Sequence, residues 1–190
     1  MSVKNAFDRL AIPVEISNSK ENIKKSSHLV LPGVGSFNVA MERIREKLPT
    51  ELLYEEVISK SKPFLGICVG MQVLAEWGYE NEKSEGLGWI EKSKIVANTS
   101  SVRQPHIGWN SVITRKESLI MRNIENGADF YFVHSYIFEV EDELICVGKT
   151  SYGRKFTSLL QKENIFGVQF HPEKSQKNGL KLLENFASIK

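Results

Sequence analysis

Cysteine is scarce in this chain of 190 residues: only Cys68 and Cys146 occur. Two cysteines cannot build a disulfide framework or a four-cysteine zinc site, and they suit a reducing cytosol while leaving room for one reactive thiol. Long apolar runs are missing as well, since no stretch approaches the ~20 residues that span a bilayer. The first ten residues carry Lys4, Asp8 and Arg9, which is unlike a targeting segment. Neither sign of charge dominates: 25 Lys and Arg against 23 Asp and Glu leave +2. The basic residues are spread out, so neither nucleic acid nor an anionic membrane is an expected partner. Repeats, low-complexity tracts and Pro/Ser-rich linkers are absent too. What remains, 41% hydrophobic and 25% charged residues, predicts one domain over residues 1–190, placed in the cytoplasm.

Short runs rich in β-branched and aromatic residues predict strands at 13–16, 28–31, 63–68, 94–97, 130–134, 145–149 and 165–170. Helical faces alternate with the early ones. Val3, Phe7 and Leu10 share a face, as do Phe37, Met41, Ile44 and Leu48 behind an N-cap at Ser36. Thr50 is placed to cap a helix with Leu53, Val57 and Ile58 inward, and Leu180, Leu183, Phe186 and Ala187 form a last stripe after Ser175. This order predicts an α/β fold, a mostly parallel sheet flanked by helices. From about residue 92 to 170 strand signals dominate, which predicts antiparallel additions to the same sheet.

Residues 63–72, Pro-Phe-Leu-Gly-Ile-Cys-Val-Gly-Met-Gln, run from an apolar strand into a helical pattern, with glycine two positions either side of Cys68. That spacing suits a nucleophile elbow: the glycines let the backbone crowd, the thiol projects, and N–H groups opening the helix can receive an oxyanion and favour the thiolate. A buried core cysteine is the alternative. Among His28, His106, His134 and His171, the last is the preferred base, because a turn at Pro172 can fold Glu173 back onto its ring. A surface turn is the alternative there. Leu31-Pro32-Gly33-Val34-Gly35-Ser36 ends a strand and opens a helix. Its glycines permit a peptide rotation that presents an N–H to an anion, although an ordinary tight turn reads the same way and the pattern is weak for a phosphate loop.

Together these segments resemble the class I glutamine amidotransferases. Pro32-Gly33-Val34-Gly35 is similar to that family's oxyanion strand, residues 66–72 to its nucleophile motif, and Gly167-Val168-Gln169-Phe170-His171-Pro172-Glu173-Lys174-Ser175 to its His/Glu motif. Pro105-His106-Ile107-Gly108-Trp109-Asn110 and residues 131–136 resemble in particular the glutaminase subunits of imidazole glycerol phosphate synthase. The resemblance implies hydrolysis of L-glutamine through a thioester on Cys68, with His171 as base and acid, Glu173 orienting it, and the N–H groups of Val34 and Val69 in the oxyanion hole. It further implies Gln72 and Glu80 on the substrate's amide end and α-amino group, on the helix that follows the elbow, and a pocket edged by Gly33, Gly35 and the backbone of His134, Ser135 and Tyr136. His106 and His134 are otherwise read as structural or interface residues. No metal or cofactor is implied. The implied partner is a (βα)8-barrel cyclase forming a heterodimer, fed with ammonia through a channel; residues 105–110 and 132–136 are either that interface or core packing. A synthase of another pathway, such as one modifying a surface sugar, or a non-catalytic binding role are the competing readings. One departure stands out: the family's N-terminal strand, ending in an Asp-Tyr-Gly-x-Gly-Asn type of loop, does not precede the helix near Ser2, which predicts a sheet with an unpaired edge.

Overall fold

In the computed structural model, which describes residues 2–99 and 101–190, the chain opens with α1 (Val3–Arg9) and α2 (Lys20–Lys25), both capped by serine hydroxyls on backbone N–H groups. Then β1 (Leu29–Gly33), α3 (Phe37–Lys47), α4 (Thr50–Tyr54) and a π-helical turn, Glu55–Ser59, lead to β2 (Phe64–Cys68) and the single turn α5 (Val69–Gln72). Ten further strands follow: β3 (Ala75–Glu80), β4 (Glu82–Glu85), β5 (Ile90–Ala97), β6 (His106–Ser111), β7 (Ile113–Thr114), β8 (Asp129–His134), β9 (Tyr136–Val140), β10 (Cys146–Tyr152), β11 (Arg154–Lys162) and β12 (Ile165–Val168). The helix α6 (Gln176–Ala187) closes the chain.

The main sheet is mixed, in the order β1-β2-β12-β11-β9-β5-β3-β4, with β10 and β7 branching from β11. Parallel pairing is concentrated where the site lies. β1 runs parallel to β2 and β2 to β12, with Gly33 opposite Cys68 and Val168 opposite Ile67. β2 is buried at all five positions and β12 at all four, as strands covered on both faces should be. β12 then pairs antiparallel with β11, β11 with β9, and β9 with β5, which bears out the antiparallel additions. One apolar core runs through Phe7, Phe37, Leu65, Phe132, Phe166 and Phe186.

Several local expectations are corrected. Residues 13–16 join no strand, because a strand exists only with a partner to take its N–H and C=O groups. They face β1 across a groove of about 670 Å³ lined by Phe7, Ile12, Val14, Ile23 and Leu29. Among the described residues no strand pairs with the outer edge of β1. The N-cap of α4 is Pro49, with Thr50 inside the helix. Ser36 does cap α3, yet its side chain makes no capping bond, and the Glu80 carboxylate accepts from Phe37 N–H at 2.6 Å instead. The elbow helix stops after one turn, and Glu80 lies at the end of β3 rather than on a helix. β3 forms by pairing with β4 and β5, and the ring of Phe37 packs on it where a Cβ on Gly78 would sit.

Candidate active site

Cys68 ends β2 and caps α5 with φ 55° and ψ −113°. A residue with a side chain pays of order 1–3 kcal/mol for such a conformation. The strain is held by close backbone packing on both sides. A Cβ on Gly66 would lie 2.4 Å from the Gly70 carbonyl oxygen, and one on Gly70 would lie 1.8 Å from that of Leu31. Both glycines therefore serve contact: Gly66 lets the elbow fold back onto β2, and Gly70 lets it press onto β1. The register of β1 on β2 brings the loop Gly33-Val34-Gly35 beside Cys68; Gly35 has φ +100°, whereas Gly33 lies where a Cβ would meet Gly70 N at 2.8 Å. Val34, between them, is 77% exposed.

His171 leaves β12 on the neighbouring strand. Its backbone is tied at both ends: its N–H donates to Tyr131 O at 2.8 Å and its carbonyl accepts from Ser175 Oγ at 2.6 Å. The short turn Pro172–Lys174 folds Glu173 back so that Oε1 lies 2.8 Å from His171 Nδ1. The thiol, imidazole and carboxylate are all buried, and Cys68 and Glu173 are the two side chains that act on the ring. Burial alone depresses the imidazole, but the favourable interactions with Cys68 and Glu173 outweigh it and push His171 up to about 9. The arrangement favours a protonated ring between two potential anions, the state that a thiolate nucleophile needs beside it.

Gln72 is buried and donates through Nε2 to Tyr136 O at 3.1 Å and to Gln169 Oε1 at 3.0 Å; its side-chain oxygen is the group left to meet a substrate. Glu80 sits at the start of α3, immediately past the Gly33–Gly35 loop. Ser135 presents its carbonyl to Asn98 N–H at 2.9 Å. Val133 O lies 3.8 Å from Cys68 Sγ, so the end of β8 passes directly over the thiol. Val69 opens α5 next to the sulfur. Cys146, by contrast, is buried away from these groups against Thr157 and Gly148.

Two features escaped the sequence reading. Gln169 is fully buried and its amide N–H points to Cys68 Sγ at 3.8 Å; it lies within the His/Glu motif, which was the available signal. His106 and His134 form a buried pair, Nδ1 to Nε2 at 3.0 Å, with Tyr152 stacked on His106. Burial pushes both rings down to about 4. On the other face of the β6–β8 ribbon, Ile107 and Trp109 are exposed opposite Val133 and Tyr131.

The model of the family "Glutamine amidotransferase class-I" matches residues 2–189. Imidazole glycerol phosphate synthase subunit HisH 1 of Campylobacter jejuni (serotype O:23/36, strain 81-176) is 44% identical over 189 residues, which is 99% of this chain and 94% of that protein. Subunit HisH of Aquifex aeolicus is 45% identical over 186 residues, 97% of this chain and 89% of that one. A crystal structure of a glutamine amidotransferase superposes with a TM-score of 0.75 at 19% identity, covering 98% of this chain and 92% of the other. A glutamine amidotransferase of Thermotoga maritima gives 0.66 at 17% identity, covering 96% and 74%.

Proposed function

The chain belongs to the class I glutamine amidotransferases, and from that membership we propose that it is the glutaminase subunit of an imidazole glycerol phosphate synthase in histidine biosynthesis, an enzyme that hydrolyses L-glutamine and hands the ammonia to a cyclase subunit. The observation that carries the catalytic part is the buried line from Glu173 through His171 to a cysteine on a strained elbow.

The Cys68 thiolate attacks the side-chain amide carbon of glutamine. Charge then develops on the amide oxygen, which meets the N–H groups of Val34 and Val69; donors of this kind are worth roughly 10²–10³ in rate each. His171 gives its proton to the departing nitrogen, so ammonia leaves and a γ-glutamyl thioester remains. Acting next as base, His171 takes a proton from water as the water attacks the thioester, and glutamate and the thiol are released. Glu173 holds the ring throughout. Gln72, through its oxygen, and Glu80 bind the two ends of the substrate, with Gly33, Gly35 and the His134–Tyr136 backbone around it.

Released ammonia needs a protected exit. The exposed Ile107 and Trp109 belong to the ribbon whose Val133, opposite Ile107, meets the thiol, and their face is the docking face for a (βα)8-barrel cyclase, which uses the ammonia to make imidazole glycerol phosphate and an aminoimidazole carboxamide ribotide. The pair works in the cytoplasm; among the described residues no helix is long and apolar enough to cross a membrane. The test is ammonia release from glutamine by the chain with and without a co-expressed cyclase from the same source. Release that needs Cys68 and rises with the cyclase is expected. Release independent of either contradicts the assignment.

A further inference from the structure

Gln169 has no role in the mechanism above, yet it is fully buried and its side chain makes two polar contacts, one of them to the reacting sulfur. Its position leaves little freedom. The backbone N–H donates to Ser158 O at 2.9 Å, and Oε1 accepts from Gln72 Nε2 at 3.0 Å. With the oxygen engaged, the amide nitrogen faces Cys68 Sγ at 3.8 Å. Gln72 is fixed in turn by Tyr136 O, which it meets at 3.1 Å and which also accepts from His134 Nδ1 at 2.9 Å. His134 Nε2 accepts from His106 Nδ1 at 3.0 Å, and Asn110 Nδ2 donates to His106 Nε2 at 3.2 Å. In the arm from Asn110 through His106 and His134 every hydrogen runs toward Tyr136 O, an order consistent only if both imidazoles are neutral, while from Gln72 the hydrogens run through Gln169 toward Cys68.

The sulfur therefore sits between opposed influences. Val133 O, at 3.8 Å, accepts from an S–H and repels a thiolate. An N–H donor does the reverse, favouring the charged form of the group that accepts from it. We propose that Gln169 is a catalytic residue of the glutaminase reaction, donating its amide N–H to Cys68 Sγ so that the thiolate is favoured over the thiol, and that Gln72 positions it. When the Sγ–H bond breaks, the proton passes to the His171 ring nitrogen not held by Glu173; Gln169 keeps both its protons and supplies only the hydrogen bond. The proposal rests on Cys68 being the nucleophile.

The experiment measures alkylation of Cys68 by iodoacetamide across pH 5–10 in the complex with the cyclase, with Cys146 as internal reference, alongside kcat and KM for glutamine. Gln169→Met keeps length and removes the donor. Gln169→Glu keeps the acceptor for Gln72 and turns an oxygen toward the sulfur, so it preserves the packing even where Met does not. Loss of a hydrogen bond to a charged group predicts Cys68 alkylation at neutral pH about tenfold slower in Gln169→Met, with the whole profile moved to higher pH. Gln169→Glu should move it further, with kcat falling in parallel and KM changing by less than about twofold. A purely structural role lowers the melting temperature and leaves the alkylation profile in place, and that result in a folded variant overturns the proposal. If the parent's Cys68 reacts no faster than Cys146, the nucleophile assignment itself fails; if it reacts faster but both variants match the parent, only the role of Gln169 falls.

Discussion

Glu173 holds His171 with one oxygen only: Oε1 lies 2.8 Å from Nδ1, while Oε2 is buried with no hydrogen-bond partner among the described residues. A buried carboxylate oxygen left without a partner is costly unless a cation compensates it. The imidazolium supplies that compensation, in keeping with a ring pushed up to about 9. In the proposed reaction the carboxylate therefore acts mainly through charge and orientation, and the ring is the proton-transfer group.

His171→Asn should be as damaging to kcat as loss of the nucleophile, because groups that act as one unit are not additive. Glu173→Gln keeps the ring oriented through its amide oxygen and should retain a kcat roughly 10²-fold above that of His171→Asn. Steady-state ammonia release checks this. If His106→Asn, rather than His171→Asn, stops thioester formation, the base has been misassigned.

Stability should peak near pH 6.5 as far as the histidines determine it. His171 is raised to about 9 in the fold, so its contribution is complete below its unfolded value of 6.5 and is lost as pH climbs through 9. His106 and His134 are pushed down to about 4, so theirs is complete above 6.5 and is lost as pH falls through 4. Urea midpoints across pH 4–9 should show His171→Asn flattening the alkaline limb and His106→Gln flattening the acid one. Slopes unchanged in both variants would contradict the charge states assigned here.

Hydrolysis should depend on the partner through the Gly33–Gly35 loop. A ligand-loaded cyclase that favours one orientation of the Gly33–Val34 peptide needs only a few kcal/mol of differential binding to raise kcat by orders of magnitude, with little change in KM. Gly35→Val should blunt the stimulation, since φ +100° excludes a β-branched residue although space is open around it. Equal kcat for the free and loaded chain would mean a preformed oxyanion hole.

Trp109→Ala should weaken cyclase binding tenfold or more by calorimetry, as truncation of an interface anchor does. The free chain should melt as before, because Trp109 is 48% exposed. Unchanged affinity would move the docking face elsewhere.

The segments placed at the candidate site were legible because each joins a strand of the parallel part of the sheet to a turn of fixed composition: 63–72, 31–36 and 165–175 appear in the fold as β2 with its elbow, β1 with its loop and β12 with its His-Pro-Glu turn. The ribbon strand β6 was not, since its apolar Ile107 and Trp109 face outward and its polar His106 is buried, the reverse of the pattern that marks a strand. β11 hides its period because five consecutive residues are buried, Thr157 and Ser158 among them. Glu80 was misplaced because nothing local to residues 73–80 records their pairing with β4 and β5. The histidine pair and the Gln169 contact depend on register between distant strands, which spacing along the chain does not encode.

The most direct test of the account is glutamate and ammonia release from glutamine by the chain in complex with its ligand-loaded cyclase, compared between the parent and Cys68→Ala, with Cys146→Ala beside them. The account predicts turnover in the parent and in Cys146→Ala, a γ-glutamyl adduct trapped by acid quench on the peptide that carries Cys68, and neither turnover nor adduct in a folded Cys68→Ala protein. Turnover in Cys68→Ala near the parent's rate would contradict it.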